Sequence, residues 1–145
     1  MGMPWRNPLN PLTTKVAVMA NYIDGFVLPI PRDRLNEYKR VAEAVAEIWK
    51  EHGALDYCEY VGDDMKLEGT CSFTDVVDAT QDEAILFGWV VFDSRESRDL
   101  VNEKVAADPR VADLIDSSDT GFNAKRMAYS GFRPLLGSFR SLHGN

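Results

Sequence analysis

The chain has 145 residues, 45% apolar and 27% charged, which suits one globular core and lies far from the composition of a disordered segment. A net charge of −7 argues against a nucleic-acid partner, because that affinity comes largely from Lys and Arg displacing counterions from phosphates. Two cysteines, Cys58 and Cys71, are too few for a disulfide framework, and no signal-peptide pattern or membrane span is legible, so a reduced, cytoplasmic protein is expected.

Residues 1–19 hold three prolines in their first eleven positions and read as a disordered leader, or as an upstream extension if Met19 is the true start. A single domain is expected over residues 20–137, followed by a flexible tail at 138–145 in which His143 is a bystander. Tyr22 to Ile30 is rich in aromatic and β-branched residues and stops at Pro31, which predicts the first strand. From Leu35 the apolar residues Leu35, Tyr38, Val41, Ala42, Val45, Ile48 and Trp49 fall at helical spacing, and His52-Gly53 supplies the stop. Ala54 to Gly62 reads as a second strand. The CSFTDVVDA segment from Cys71 predicts an edge strand or hairpin arm, which would set Cys71 opposite Cys58, although a disulfide is not expected in a reducing compartment.

Ala84 to Phe92 is apolar throughout and gives the clearest strand. Asp93 or Ser94 caps the helix that follows, with Leu100, Val101 and Val105 inward and a stop at Asp108-Pro109. A short helix around Val111, Leu114 and Ile115 comes next, and Lys125 to Leu136 forms the last strand. The Gly-Phe string of YIDGFVLPIP recurs in AYSGFRPLL, so the order reads as two split strand-helix-strand units. This predicts an α+β fold of the ferredoxin-like βαββαβ type, with an antiparallel sheet whose two echoing strands are neighbours.

Two helices cover only one face of such a sheet, yet the first and third strands carry apolar side chains at both parities. Leaving some six of them in water forfeits on the order of 10 kcal/mol, comparable with the roughly 5–15 kcal/mol stability of a whole domain. A homodimer pairing two sheets face to face is therefore expected. The competing cover is the leader, or the long segment after Gly62.

YIDGFVLPIP, the HGAL and VGDD strings after the first helix, DEAILFGWVVFDSRESRDLVNEKVAADPR and FNAKRMAYSGF together resemble the YbaA-like proteins, a bacterial family of unknown function, over about Asn21 to Leu136. The resemblance implies a dimeric α+β barrel. That superfamily also holds antibiotic-biosynthesis monooxygenases, muconolactone isomerases and EthD-like proteins, which keep a small pocket between sheet and helices. It carries fold to this chain and no catalytic residue.

Several residues are candidates for a site. Gly25, Gly88 and Gly131 sit in the middles of three strands, where missing side chains open a hollow unless Trp49 or Trp89 fills it. Asp24 is a carboxylate in an apolar strand: it is either ion-paired with Lys125, Arg126 or Arg133, or it faces a pocket where burial fits it for proton transfer. His52 is a helix-terminal cation, or a general base if Asp56, Tyr57 or Glu59 partners it. Tyr57, Tyr60 and Tyr129 offer hydroxyls to a ligand. Glu59, Asp63 and Asp64 form at most a weak cation site beside their reading as a solvated turn. No phosphate loop, nucleophile elbow or zinc spacing is present, so neither metal nor cofactor is expected. Two readings follow: a homodimeric binder of a small apolar or aromatic metabolite, acting as a cofactor-independent isomerase or monooxygenase-like enzyme, or a non-enzymatic binding or accessory protein with no open pocket.

Overall fold

The computed structural model describes residues 22–137. The expected leader, its Met19 start and the tail lie outside the described residues. Among those described, four strands form one antiparallel sheet in the order β2-β3-β1-β4, with helices packed on it, an α+β fold. Strand β1 (Tyr22–Pro31) pairs along its whole length with β3 (Glu83–Phe92), from Tyr22 opposite Phe92 to Pro31 opposite Glu83. On its other side β1 pairs with β4 (Ala128–Phe132), and β2 (Asp56–Val61) lies outside β3.

Helix α1 (Leu35–Glu51) follows β1 after a single 3-10 turn, and buries Val41 and Ile48 on its inward stripe. Its end is a Schellman closure: the Gly53 N–H donates to the Lys50 carbonyl and the Ala54 N–H to that of Trp49 (3.1 and 3.0 Å), with Gly53 at φ +122°, a conformation side chains disfavour. Helix α3 (Arg95–Ala107) is capped by Ser94, whose hydroxyl accepts the Ser97 N–H. Asp108 then caps α4 (Pro109–Asp116), which starts on its proline as that residue favours.

Period-two alternation sorts the strands. Phe26, Leu28 and Ile30 of β1 and Leu86, Val90 and Phe92 of β3 point under the helices and are 5% exposed or less. Val27 and Ile85 point the other way and pack on Val77, Met65 and Ala79. The long segment after Gly62 therefore folds back over one end of the second face, which is part of the competing cover named above.

Three expectations are corrected. The CSFTDVVDA segment holds a helical turn, α2 (Phe73–Val76), in place of an edge strand. Ser72 caps it by accepting the Thr74 N–H, and Asp78 at φ +53° ends it so that Val77 turns onto the sheet. Cys71 consequently stays exposed outside the sheet while Cys58 pairs with Trp89 in the β-ladder, and both thiols are free. Leu100 is not inward: the α3 residues that face β1 and β3 include Arg98, Val101, Asn102 and Val105, and Leu100, off that stripe, is 57% exposed. The last strand is also shorter than Lys125 to Leu136. Lys125 and Arg126 form a 3-10 turn capped by Asn123, and the chain leaves the sheet at Arg133-Pro134.

Arg126 is instead a clamp on the start of β3. Its guanidinium donates to both Glu83 oxygens at 2.6 and 3.0 Å and to the Asp78 carbonyl, while the Thr80 N–H also reaches Glu83. With Arg126 foremost and the Thr80 amide second, these donors hold the Glu83 carboxyl down at about 2. A depressed carboxylate contributes stability above its unfolded value near 4.3 and loses it as pH falls toward 2. Glu83→Gln is expected to cost about 1 kcal/mol at pH 7, screening at the partly exposed Arg126 included, and to flatten the acid limb between about pH 4 and 2; urea melts across that range check both.

Candidate functional site

Between the sheet and helices α1, α3 and α4 lies a chamber of about 200 Å³. Phe26 and Val90 form its sheet-side floor, Val41, Val45 and Trp49 come from α1, Val105 from α3, and Val111 and Ile115 from α4. Tyr38, Tyr57 and Tyr129 complete the wall together with Thr120, Phe122 and Met127. Trp49 borders this space without filling it, tilted against Tyr57 and Phe92 at ring-centroid distances of 6.1 and 6.4 Å.

The polar character is concentrated in the tyrosines. Strand alternation brings Tyr57 and Glu59 of β2 to the helix-facing side, opposite Val90 and Gly88. There the Tyr38 hydroxyl donates to Glu59 Oε1 at 2.6 Å and the Tyr57 hydroxyl to Oε2 at 3.3 Å. Burial lifts the Glu59 carboxyl above its ordinary value, against the two phenols, which pull it down. Burial first, and the Glu59 charge second, raise both tyrosines. Tyr38, Ala42 and Tyr57 also border a second cleft of about 470 Å³ at the edge between α1 and β2, where Glu59, Cys58, Asn36 and Lys39 contribute. The Tyr38–Glu59–Tyr57 cluster is thus the partition between an apolar chamber and a wetter outer cleft.

A second carboxylate stands behind the third tyrosine. Asp24 is fully buried; its Oδ2 accepts the Tyr129 hydroxyl at 2.6 Å and the Asn102 amide at 3.4 Å, and its Oδ1 faces Arg98 Nη1 at 3.5 Å. Arg98 also donates to the Tyr22 hydroxyl and lies over that ring. This corrects the expected partners: the ion pair is made by α3, not by Lys125, Arg126 or Arg133. Asp24 Oδ1 and Asn102 Oδ1 are buried there without a hydrogen-bond partner among the described residues, and Arg98 Nε has only an ion-pair contact with Asp99 Oδ1 at 3.2 Å. Burial and then the Asp24 bond raise Tyr129, which stacks on Phe26.

The structure brings Trp49, Tyr57 and Tyr129 together at the chamber and separates the other candidates from it. Gly88 and Gly131 face the helix side, but a Cβ on Gly131 would meet Tyr22 and Arg98, so its absence serves the Asp24 cluster. Gly25 faces the opposite side beneath the Phe132 ring, and Trp89 lies on that side as well, stacked on Tyr60. The three glycines therefore do not share one hollow. His52 ties the end of α1 to the α3–α4 junction through a 2.8 Å contact between Nε2 and Asp108 Oδ2. That carboxylate is held well below the usual range by Arg110 first and by His52 second. Asp63 and Asp64 are exposed, and no three His, Cys, Asp or Glu gather as a metal would require among the described residues. No described helix is long and apolar enough to cross a membrane.

Gly88 is the glycine that matters to the site. A Cβ there would lie 2.5 Å from the Cys58 backbone oxygen, 2.6 Å from the Phe26 ring and 2.9 Å from Glu59. Because the first of these is main chain, the collision can be relieved only by moving β2. Gly88→Ala is expected to cost about 1–3 kcal/mol by overpacking, read as a lowered urea midpoint; a variant of unchanged stability would show that β2 is not fixed there.

Fold and site together define an α+β protein with a tyrosine-lined apolar chamber under its helices. Residues 21–124 match the family described as "Protein of unknown function (DUF1428)", and the chain belongs to that family. It is 35% identical over 115 residues to the "Uncharacterized protein YbaA" of Escherichia coli (strain K12), which covers 79% of this chain and 97% of that protein, and it matches the protein of the same name from Shigella flexneri equally. Among solved structures, the "De novo designed protein Foldit4" aligns with a TM-score of 0.42 at 10% identity, covering 79% of this chain and 98% of that one.

Proposed function

We propose that this chain is a homodimeric small-molecule-binding protein of the ferredoxin-like, dimeric α+β barrel type, which takes a ring-bearing, mostly apolar metabolite into the chamber between sheet and helices. The observation that carries the reading is that chamber itself, about 200 Å³ walled by apolar side chains and three tyrosines. An apolar cavity of ~150 Å³ already accepts benzene, so this one suits a single substituted ring. Glu59 is the group through which a bound ligand would exchange a proton: burial raises its carboxyl, and both phenols on it line the chamber. Asp24, sealed behind Tyr129 and beside Arg98, and His52, engaged with Asp108, serve the fold.

The dimer rests on the second sheet face. Beyond the end covered by Val77, a row of rings runs Phe73, Phe87, Trp89, Tyr60 at centroid spacings of 5.6, 5.8 and 5.6 Å, and Phe87, Tyr60 and Phe132 are 42%, 62% and 53% exposed. An apolar aromatic face of this kind is what a self-complementary sheet would cover.

Thermal-shift screening with small aromatic compounds tests the chamber. A ligand at a hundred times its Kd should add about 2.7 kcal/mol of stability, and Val45→Phe, which fills the chamber, should abolish the response. A wild-type protein indifferent to every ring-bearing compound at millimolar concentration would end this reading.

A further inference from the structure

The carboxylates of this protein are compensated in two different ways. Asp24 faces Arg98, Glu83 is clamped by Arg126, and Asp108 is held by Arg110 and His52. Glu59 is held by two phenols and, among the described residues, has no cation within ion-pair distance, although Lys39 borders the same cleft. A carboxylate offers about four acceptor sites, and here two of them are taken. Among the described residues no Lys, Arg or His lines the chamber. All three of its tyrosine hydroxyls donate to carboxylates, Tyr38 and Tyr57 to Glu59 and Tyr129 to Asp24. Thr120 supplies a further hydroxyl, which accepts the Phe122 N–H and keeps its own proton, so that it and the Trp49 indole are the neutral donors left on the wall. The wall is therefore rich in acceptors, has its strongest donors already engaged, and carries negative charge without a counter-ion at its partition.

We infer that the chamber selects ligands in which a single ring carries a hydrogen-bond donor on a short arm, an amine in preference to a hydroxyl, with the arm directed at Glu59, and that it excludes the corresponding carboxylates. This deepens the binding reading above and rests on it. The ring occupies the apolar chamber, and the arm crosses the wall that Tyr38, Ala42 and Tyr57 share with the outer cleft. An ammonium there neutralises Glu59 and satisfies a free lone pair, and charge-assisted bonds of this kind are roughly twice as strong as neutral ones. A carboxylate meets a like charge and finds only neutral donors, the Thr120 hydroxyl and the Trp49 indole, to replace its water, which leaves an ion poorly compensated on burial.

Three probes of one skeleton separate these outcomes: 2-phenylethylamine, 2-phenylethanol and phenylacetate, titrated calorimetrically into the full chain at pH 8. The amine should bind roughly tenfold tighter than the alcohol, and phenylacetate on the order of a hundredfold weaker than the amine. Glu59→Gln should bring the amine to within about threefold of the alcohol, the ratio of the two being read within the variant. Should that variant fail to fold, Tyr38→Phe, which frees one Glu59 oxygen, should widen the amine preference instead. Phenylacetate binding as tightly as the alcohol, or an amine preference untouched by either variant, would overturn the ligand class while leaving the chamber as a binding site. Failure of all three probes to bind would remove the chamber as well.

Discussion

Asp24→Ala is expected to destabilise the protein by about 3–5 kcal/mol, the cost of leaving a buried charge without its partner. Asp24 is fully buried, and Arg98, whose side chain is 17% exposed, would keep only the largely exposed Asp99, 3.2 Å from its Nε, and lose its buried carboxylate. The Tyr129 hydroxyl and the Asn102 amide would lose their acceptor at the same time. Asp24→Asn keeps an oxygen for Tyr129 and gives up only the charge, so about 1–3 kcal/mol is expected. The double variant Asp24→Leu/Arg98→Leu separates a pair that stabilises from a charge that merely needs company. Removing both ends of a buried pair is often close to neutral, so the double variant should be more stable than Asp24→Ala. Chemical denaturation of the three variants decides the matter, and an alanine variant within 1 kcal/mol of wild type would show that Arg98 reaches solvent without Asp24.

How much of this was legible beforehand follows from where the information resides. The strands and the first helix were readable because period and punctuation coincide: Gly53 ends α1 with the left-handed conformation that its place after His52 suggests. The echo of YIDGFVLPIP in AYSGFRPLL signalled two strands that do lie side by side and antiparallel. The Phe73–Val76 turn was missed because Phe, Thr and Val favour strands in general, whereas the deciding interaction is local, a Ser72 hydroxyl on the Thr74 amide. Asp24 was recognised as needing a partner, but sequence offered cations on the neighbouring strand, which supplies the Tyr129 hydroxyl instead, while the cation and an amide came from a helix some 75 residues away in the chain. Their signal was present in α3, where Arg98 and Asn102 share the stripe of Val101 and Val105. Glu59 was legible in part, since alternation places it on the face of Tyr57. What no pattern in β2 reveals is that Tyr38 from α1 arrives above it, a contact fixed only when helix and sheet pack.

Phe87→Glu is expected to weaken the proposed dimer by more than a thousandfold. The side chain lies in the middle of the exposed ring row, edge-on to Trp89 and tilted against Phe73 of α2, on the face turned away from α1 and α3. Being 42% exposed in the single chain, it has only part of its apolar area left to bury, worth roughly 1 kcal/mol per copy. Symmetry doubles that loss, because the same patch meets itself across a two-fold axis. The larger effect is the introduced carboxylate, since each ion confined between two sheets without a counter-charge costs several kcal/mol. Together these exceed about 4 kcal/mol, or roughly three decades in Kd. Within one chain the substitution sits at a half-exposed position, so the monomer should remain folded, with a loss near 1 kcal/mol. Leu100→Glu, on the outer side of α3, is the control and should leave association unchanged. Sedimentation velocity at micromolar concentration should then give twice the mass of one chain for wild type and for Leu100→Glu, and a single chain for Phe87→Glu. A wild-type protein that sediments as one folded chain would mean that the ring row is tolerated in water, and the face-to-face pairing would fall with it.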